Sequence, residues 1–318
     1  MSQNATRIAL LLIDGFALMS YAALIEPFRA ANALSGTRLY NWQHIAPTGG
    51  EATASNAARL RADAQVGDPI DCDMLFVFAA GDPASFRDDR TFAWLRTQAR
   101  RGITIAGVSG GPYLLARAGL LSGKRATIHW EHAAALADDY PDLRLEQGLY
   151  VIDGNRVTCA GGTAGLDLAL ALIERDHGAP LARQVGEWFI RPEARRPERG
   201  QRTGLAERHG TTNRRLLAML AAMEEAIEEP LGREELAARA EVSVRQLERL
   251  CEQHLGTSMA EAFMAIRLDR ALELLRATGL PITEVALATG FRSAPHFSRR
   301  FKARHGKSPT EVRISPLP

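Results

Sequence analysis

The chain has 318 residues, of which 46% are hydrophobic, 24% charged and 6% aromatic. At roughly 150 residues per domain, that length holds about two cores, and the composition excludes collagen, low-complexity disorder and a disulfide scaffold. The net charge of +2 hides an asymmetry: residues 1–190 carry 17 basic and 20 acidic groups, whereas residues 279–318 carry seven basic and two acidic ones. A basic end on a neutral chain fits nucleic acid, although on charge alone a solvated helix face is the commoner origin.

The opening run RIALLLID is too short for a membrane span and lacks a signal-peptide cleavage pattern, so no membrane association is expected. Cys72, Cys159 and Cys251 are far apart with no ligand-like spacing. This predicts neither disulfide nor metal cluster, requires no cofactor, and fits a reducing cytoplasm. Through residue 190, short apolar runs alternate with helical stretches. The strands expected are Arg7–Ile13, Met74–Phe78, Ile103–Val108 and Arg156–Ala160. The helices expected are Tyr21–Leu34, Thr91–Arg101, Gly111–Ala118, Glu131–Asp138 and Gly165–His177. Buried runs between amphipathic helices imply a mostly parallel, flavodoxin-like sheet covered on both faces, an α/β domain over residues 1–190.

Within it, the strand Ile103–Val108 runs into Gly107-Val108-Ser109-Gly110-Gly111. This is the G-x-S-x-G pattern of a nucleophile elbow, in which a residue sits on a sharp strand-to-helix turn. It predicts either a serine nucleophile or a cradle of backbone N–H groups for an anion; a glycine-rich βα turn without function is the plain alternative. A nucleophile needs a base. His129 and His132 in TIHWEH are candidates, with Glu131 or Glu26 to orient one.

Residues 191–212 (RPEARRPERGQRTGLAERHGTT) hold two prolines, many arginines and almost no large apolar residues, and read as a linker. Beyond it, residues 213–318 show only helical patterns: Arg214–Glu228, Arg233–Ala240, Ser243–His254, Ser258–Thr278, Ile282–Thr289 and Ser293–His305, punctuated by glycine and proline. A repeat is visible at an offset of 50, SVRQLERLCEQHLGTSM against SAPHFSRRFKARHGKSP. Each copy follows a short helix and a turn. Ala237 and Ala286 sit where two helices approach, Gly290 suits a left-handed turn, and Ser243 and Ser293 are placed as caps. Helix, tight turn and capped helix is the helix-turn-helix plan, whose second helix enters the major groove. With Phe297 and Phe301 inward, the outward residues of the second reading helix are Ala294, Pro295, His296, Ser298, Arg299 and Lys302. Those of the first are Val244, Arg245, Gln246, Glu248, Arg249 and Glu252. Double-stranded DNA is the partner this duplication implies.

The stretch GFRSAPHFSRRFKARHGKSPTEVR, within Leu216–Arg313, resembles the C-terminal signature of the AraC/XylS transcription factors; Met259 departs from it where proline is frequent. The resemblance implies two helix-turn-helix units and ligand-dependent activation of promoters, hence RNA polymerase as a partner. Arg7–Ile190, through IDGFALMSYAALIEPFRAAN, AGVSGGPYLLARAGLL, TIHWEH and CAGGTAGLDLAL, resembles the ThiJ/PfpI-like, class I glutamine-amidotransferase-like domain of GlxA-type regulators. Enzymes of that superfamily place a cysteine in the elbow, a histidine further on and an acidic residue after the first strand. Here Ser109 and His129 take the first two positions and Ser20 the third, with Glu26 the nearest carboxylate. A serine is a far poorer nucleophile than a thiolate. The resemblance is closest to regulators of quaternary-amine and amino-acid catabolism, which implies an effector of the glycine betaine, carnitine or arginine class.

Such a ligand has a carboxylate for the Ser109, Gly110 and Gly111 amides and a cation for an aromatic face, Phe16, Tyr21, Tyr113 or Trp130. The ligand site expected is therefore Glu26, Ser109, Gly110, Gly111, Tyr113, His129 and Trp130. The function expected is a cytoplasmic, DNA-binding, homodimeric regulator. The alternative is a serine-dependent hydrolase or amidase using Ser109 and His129. A third reading gives the first domain dimerisation alone.

Overall fold

The computed structural model describes residues 5–191, 193–201 and 204–314. The chain forms two units, Met1–Gln201 and Arg202–Pro318.

The first unit is built on strands whose alternate residues enter two different cores, as a sheet covered on both faces requires. In β1 (Thr6–Leu12), Ile8, Leu10 and Leu12 pack on one side while Ala9 and Leu11 pack on the other. The chain continues through α1 (Leu18–Ser35), β2 (Tyr40–Ala46), the hairpin β3 (Glu51–Thr53) and β4 (Arg59–Arg61), β5 (Ala64–Gln65), β6 (Met74–Ala79) and α2 (Asp89–Arg100). Then come β7 (Thr104–Ser109), α3 (Gly111–Arg117), β8 (Arg125–Ala126), α4 (Ala133–Asp139), β9 (Arg144–Leu145), β10 (Tyr150–Asp153), β11 (Arg156–Cys159), α5 (Ala164–His177) and α6 (Ala179–Trp188). The main sheet has the order β10-β11-β7-β6-β1-β2-β5. Every pair is parallel except β10 with β11.

One core joins the sheet to α1, α5 and α6 through Phe28, Leu168 and Val185; the other joins it to α2, α3 and α4 through Leu95, Leu114 and Leu136. Phe28, Phe76 and Phe78 are almost completely buried, each contributing about 1.5–3 kcal/mol of hydrophobic stabilisation. Sequence patterning located β1, β6, β7 and β11 of the main sheet but missed β2, β5 and β10, and also α6. In β2 only Tyr40, Ile45 and Ala46 are buried, so it lacks the continuous apolar run of a central strand. The pattern at α6 is interrupted by Gly178, a C-cap for α5 and an N-cap for the next helix at once.

The segment read as a linker is bound to the first unit as far as Gln201. Asp167 is completely buried and accepts from the Arg195 N–H and from the guanidinium groups of Arg191 and Arg195. The Leu149 N–H donates to the Pro197 carbonyl at 2.7 Å. Pro192, Arg202 and Thr203 of that segment lie outside the described residues, as do Met1–Asn4 of the expected first domain and Ser315–Pro318 of the last.

The second unit is helical: α7 (Leu205–Arg208), α8 (Arg214–Glu225), α9 (Arg233–Arg239), α10 (Val244–Leu255), α11 (Met259–Ala277), α12 (Ile282–Ala288), α13 (Ala294–His305) and α14 (Pro309–Ile314). It has two small cores, one per repeat. Leu247 and Cys251 anchor α10 in the first; Phe297 and Phe301 anchor α13 in the second. The Gly290 turn has φ +73°, and a Cβ there would stand 2.7 Å from the Ile227 carbonyl oxygen, so glycine is required twice over.

Candidate functional site

In parallel sheets, ligands bind beyond the carboxyl ends of the strands. That edge collects the ends of β7 and β11, and with them Ser109 and the pair Gly161-Gly162. Ser109 is a true elbow: φ is +61°, a left-handed conformation rare for serine, and the residue is 6% exposed. The crowding behind it explains the glycines. A Cβ on Gly107 would meet the Pro112 nitrogen at 2.5 Å, and one on Gly111 the Val77 carbonyl oxygen at 2.1 Å.

Gly161 (φ +80°) closes the other side. A Cβ there would lie 2.7 Å from both the Ser109 Cβ and the Ser20 Oγ. The Ser20 hydroxyl, buried on α1, accepts the Gly162 N–H at 2.7 Å. Ser20 therefore flanks the elbow, where the enzymes resembled carry an acid. Glu26 does not: its carboxylate pairs with Arg29 at 2.6 Å along the α1 surface. His129 is brought to the elbow by its backbone, its N–H donating to the Ser109 carbonyl at 3.2 Å. Among the described residues, the Ser109 hydroxyl forms no hydrogen bond. The His129 Nδ1 instead accepts the Glu131 N–H and lies 3.7 Å from the Glu131 carboxylate. Burial lowers the pKa of His129 and pushes that of His132 down to about 4, so both imidazoles are neutral at pH 7.

Two expected ligand contacts are corrected. The Gly110 N–H donates to the Ala79 carbonyl at 2.8 Å and cannot hold an anion. Tyr113 lies in the core of α3 and α4, its hydroxyl bonded to Asp139 and its ring edge-on to Tyr140. A pocket of about 350 Å³ flanks that pair, lined by Leu121, Asp139 and Tyr140. Trp130 stays beside the site, half-buried, its ring 5.3 Å from that of His129. Of the other aromatics, Phe16 is fully buried, and Tyr21 packs against Phe16 and Phe78. The Tyr21 hydroxyl lies 2.8 Å from His44 Nε2, and His44 Nδ1 lies 3.3 Å from Asp63. Sequence reasoning missed this Tyr-His-Asp chain because its members come from α1, β2 and the turn after β4. It also missed Gln201, whose amide nitrogen reaches the Thr127 hydroxyl and the Ile128 and Gly148 carbonyls and whose oxygen accepts the Trp130 N–H at 2.7 Å.

In the second unit, α10 and α13 are the second helices of two helix-turn-helix units. Arg245, Arg249, Pro295, His296, Arg299 and Lys302 are exposed, while Val244, Gln246, Ala294 and Ser298 are partly covered. Among the described residues, Arg245, Arg249, Arg299 and Lys302 enter no ion pair. Their neighbours Arg300 and Arg304 are held by Glu261 and Asp269 of α11. Four cations remain available for phosphates or base edges. Glu248 turns away from that set: its carboxylate takes Arg233 at 2.7 Å and the Met259 N–H at 3.1 Å. Proline at position 259 would have no N–H to give to Glu248. Ser243 caps α10 by accepting the Gln246 N–H, but Ser293 makes no cap bond, and Pro295 leaves one fewer N–H in that first turn.

Residues 6–175 match the DJ-1/PfpI family and residues 236–314 the helix-turn-helix domain family. The HTH-type transcriptional regulator GlxA of Rhizobium meliloti is 42% identical over 313 residues, covering 98% of this chain and 97% of that protein. The HTH-type transcriptional regulator CdhR of Pseudomonas aeruginosa is 41% identical over 308 residues, 96% of this chain and 91% of that one. In fold, the chain is similar to a ThiJ/PfpI family protein from Pseudomonas syringae, with a TM-score of 0.53 and 23% identity over 75% of this chain and 91% of that one. With a DJ-1/PfpI domain followed by an AraC-type pair of helix-turn-helix units, the chain belongs to the family of HTH-type transcriptional regulators that includes GlxA and CdhR.

Proposed function

We propose that the first domain is a sensor. It binds a small cationic carboxylate, of the betaine, carnitine or arginine class, in the pocket of Ser20, Ser109, His129 and Gly161. The observation that carries this reading is Ser109 itself: a residue only 6% exposed, held in a strained left-handed conformation at the end of β7, whose hydroxyl forms no hydrogen bond among the described residues. Such strain persists at sites where function uses it. The Ser109 hydroxyl serves the carboxylate, and the half-buried Trp130 ring serves the cation. Binding shifts the protein between two states of different operator affinity.

The regulator acts in the cytoplasm as a homodimer and recruits RNA polymerase as an activator. Among the described residues, no helix is long and apolar enough to cross a membrane. Met19 on α1, with Trp188 and Ile190 at the end of α6, is exposed apolar surface of the kind a second copy covers. Titration of the full chain with glycine betaine, carnitine and arginine by calorimetry tests the effector class. Binding of one of them, weakened in Ser109→Ala and Trp130→Ala, is expected; no heat with any of the three overturns it.

A hydrolytic role for Ser109 has less support. No hydrogen bond joins its hydroxyl to His129, Ser20 replaces the orienting acid, and burial raises the pKa of all three thiols. A serine-reactive phosphonate probe decides between the two: labelling at Ser109 that disappears in His129→Ala restores the enzyme reading.

A further inference from the structure

We propose that His129, Glu131 and His132 bind one divalent metal ion of the zinc class. One ligand atom from each of the three lies within 4.8 Å of the others. Ligands sharing a tetrahedral zinc ion at about 2.0–2.2 Å lie about 3.3–3.6 Å apart, so side-chain rotations that bring the atoms together by roughly 1–1.5 Å close the set. The backbone already holds these side chains together. Residues 130–132 form a 3-10 turn, and the His132 N–H donates to the His129 carbonyl at 2.9 Å. This stacks positions i and i+3 on one side of the turn, with i+2 a third of a turn away. The start of the turn is fixed twice, by the His129 N–H on the Ser109 carbonyl and by the Trp130 N–H on Gln201.

The donor chemistry is specific. Two imidazoles and one carboxylate suit zinc and its neighbours and leave positions open for water or a ligand. They do not suit calcium or magnesium, which take oxygen donors. To ligate, His129 Nδ1 exchanges the Glu131 N–H, 3.4 Å away, for the ion. The side chains of His129 and Glu131 are 29% and 33% exposed, so an ion can enter from solvent. An ion here would sit one residue from the anchor of Gln201, and so next to the segment leading to the DNA-binding unit. The site stands whether or not the effector is a cationic carboxylate, because its test uses the metal alone.

Full-length protein freed of metal by chelation is titrated with Zn²⁺ by calorimetry, and with Co²⁺ by visible absorption to report coordination. The expected result is one ion per chain, with affinity lowered at least ~10-fold in both Glu131→Gln and His129→Asn, a loss that removal of even an outer partner can bring. The exposed His254→Asn serves as control and keeps full affinity. Glu131→Gln changes a partly exposed side chain, so circular dichroism will show it folded even if a His132 variant is not. Absence of stoichiometric binding, or affinity unchanged in both variants, overturns the proposal.

Discussion

Gly161 sets how closely Ser20 and Ser109 approach one another. At φ +80° a side chain is strained, and its Cβ would lie 2.7 Å from two atoms that cannot both retreat, on Ser109 and Ser20. Gly161→Ala is expected to destabilise the first domain by about 1–3 kcal/mol, the range for overpacking, and to abolish effector binding. Urea unfolding and calorimetry measure the two effects, and an unchanged midpoint would sink the close-packed picture. The elbow was legible in the sequence, since G-x-S-x-G states its own geometry. The partner of the elbow was not. Ser20 and Gly162 are 142 positions apart, and only the folded sheet shows that the hydroxyl before Tyr21, rather than the Glu26 carboxylate, flanks Ser109. Glu26 lies on α1 beyond Ser20 by nearly two turns, which local spacing alone could not rule in or out.

The two helix-turn-helix elements solve one turn in two ways. The second uses Gly290 at φ +73°; the first puts Glu241 at φ +56°, where a side chain costs roughly 1–2 kcal/mol. Since glycine gives back part of that gain through chain entropy, Glu241→Gly is expected to stabilise the second domain by about 0.5–1 kcal/mol, read as a higher Tm. A lower Tm would mean that the Glu241 side chain makes a compensating contact. The duplication was legible because it is periodic, and so were its buried positions, Leu247 and Cys251 against Phe297 and Phe301. The difference between the turns was not, because Glu241 carries no local mark of a left-handed residue. The outward arginines of α10 and α13 lead to a further prediction. Arg249→Ala and Arg299→Ala should each weaken operator binding by ~1–3 kcal/mol where the residue reads guanine. Affinity should also fall steeply with salt as phosphate contacts release counterions. Footprint titrations measure both, and unchanged affinity in the two variants would place the DNA on other helix faces.

At the level of the whole chain, the question is how the proposed effector would reach the reading helices. Proline, arginine and glycine made residues 191–212 read as a tether, because composition reports solvation and not specific pairing. The buried Asp167 shows what composition misses: it pairs with the half-buried Arg191 and Arg195 and ties the chain to α5. Gln201 then ends the first unit on the loop that carries His129 and Trp130. An effector that moves Trp130 must strain or release this amide, and the next residues lead directly into the second unit. Couplings between sites typically amount to 5–150-fold in affinity. Gln201→Ala should therefore leave effector affinity within a few fold and the fold within about 1–2 kcal/mol, the range for lost hydrogen bonds. The ratio of operator affinities with and without effector should meanwhile fall toward one. Fluorescence anisotropy on an operator duplex, with calorimetry on the same preparation, separates these quantities. If the ratio survives in Gln201→Ala while effector binding is intact, the signal travels by a route other than this clamp.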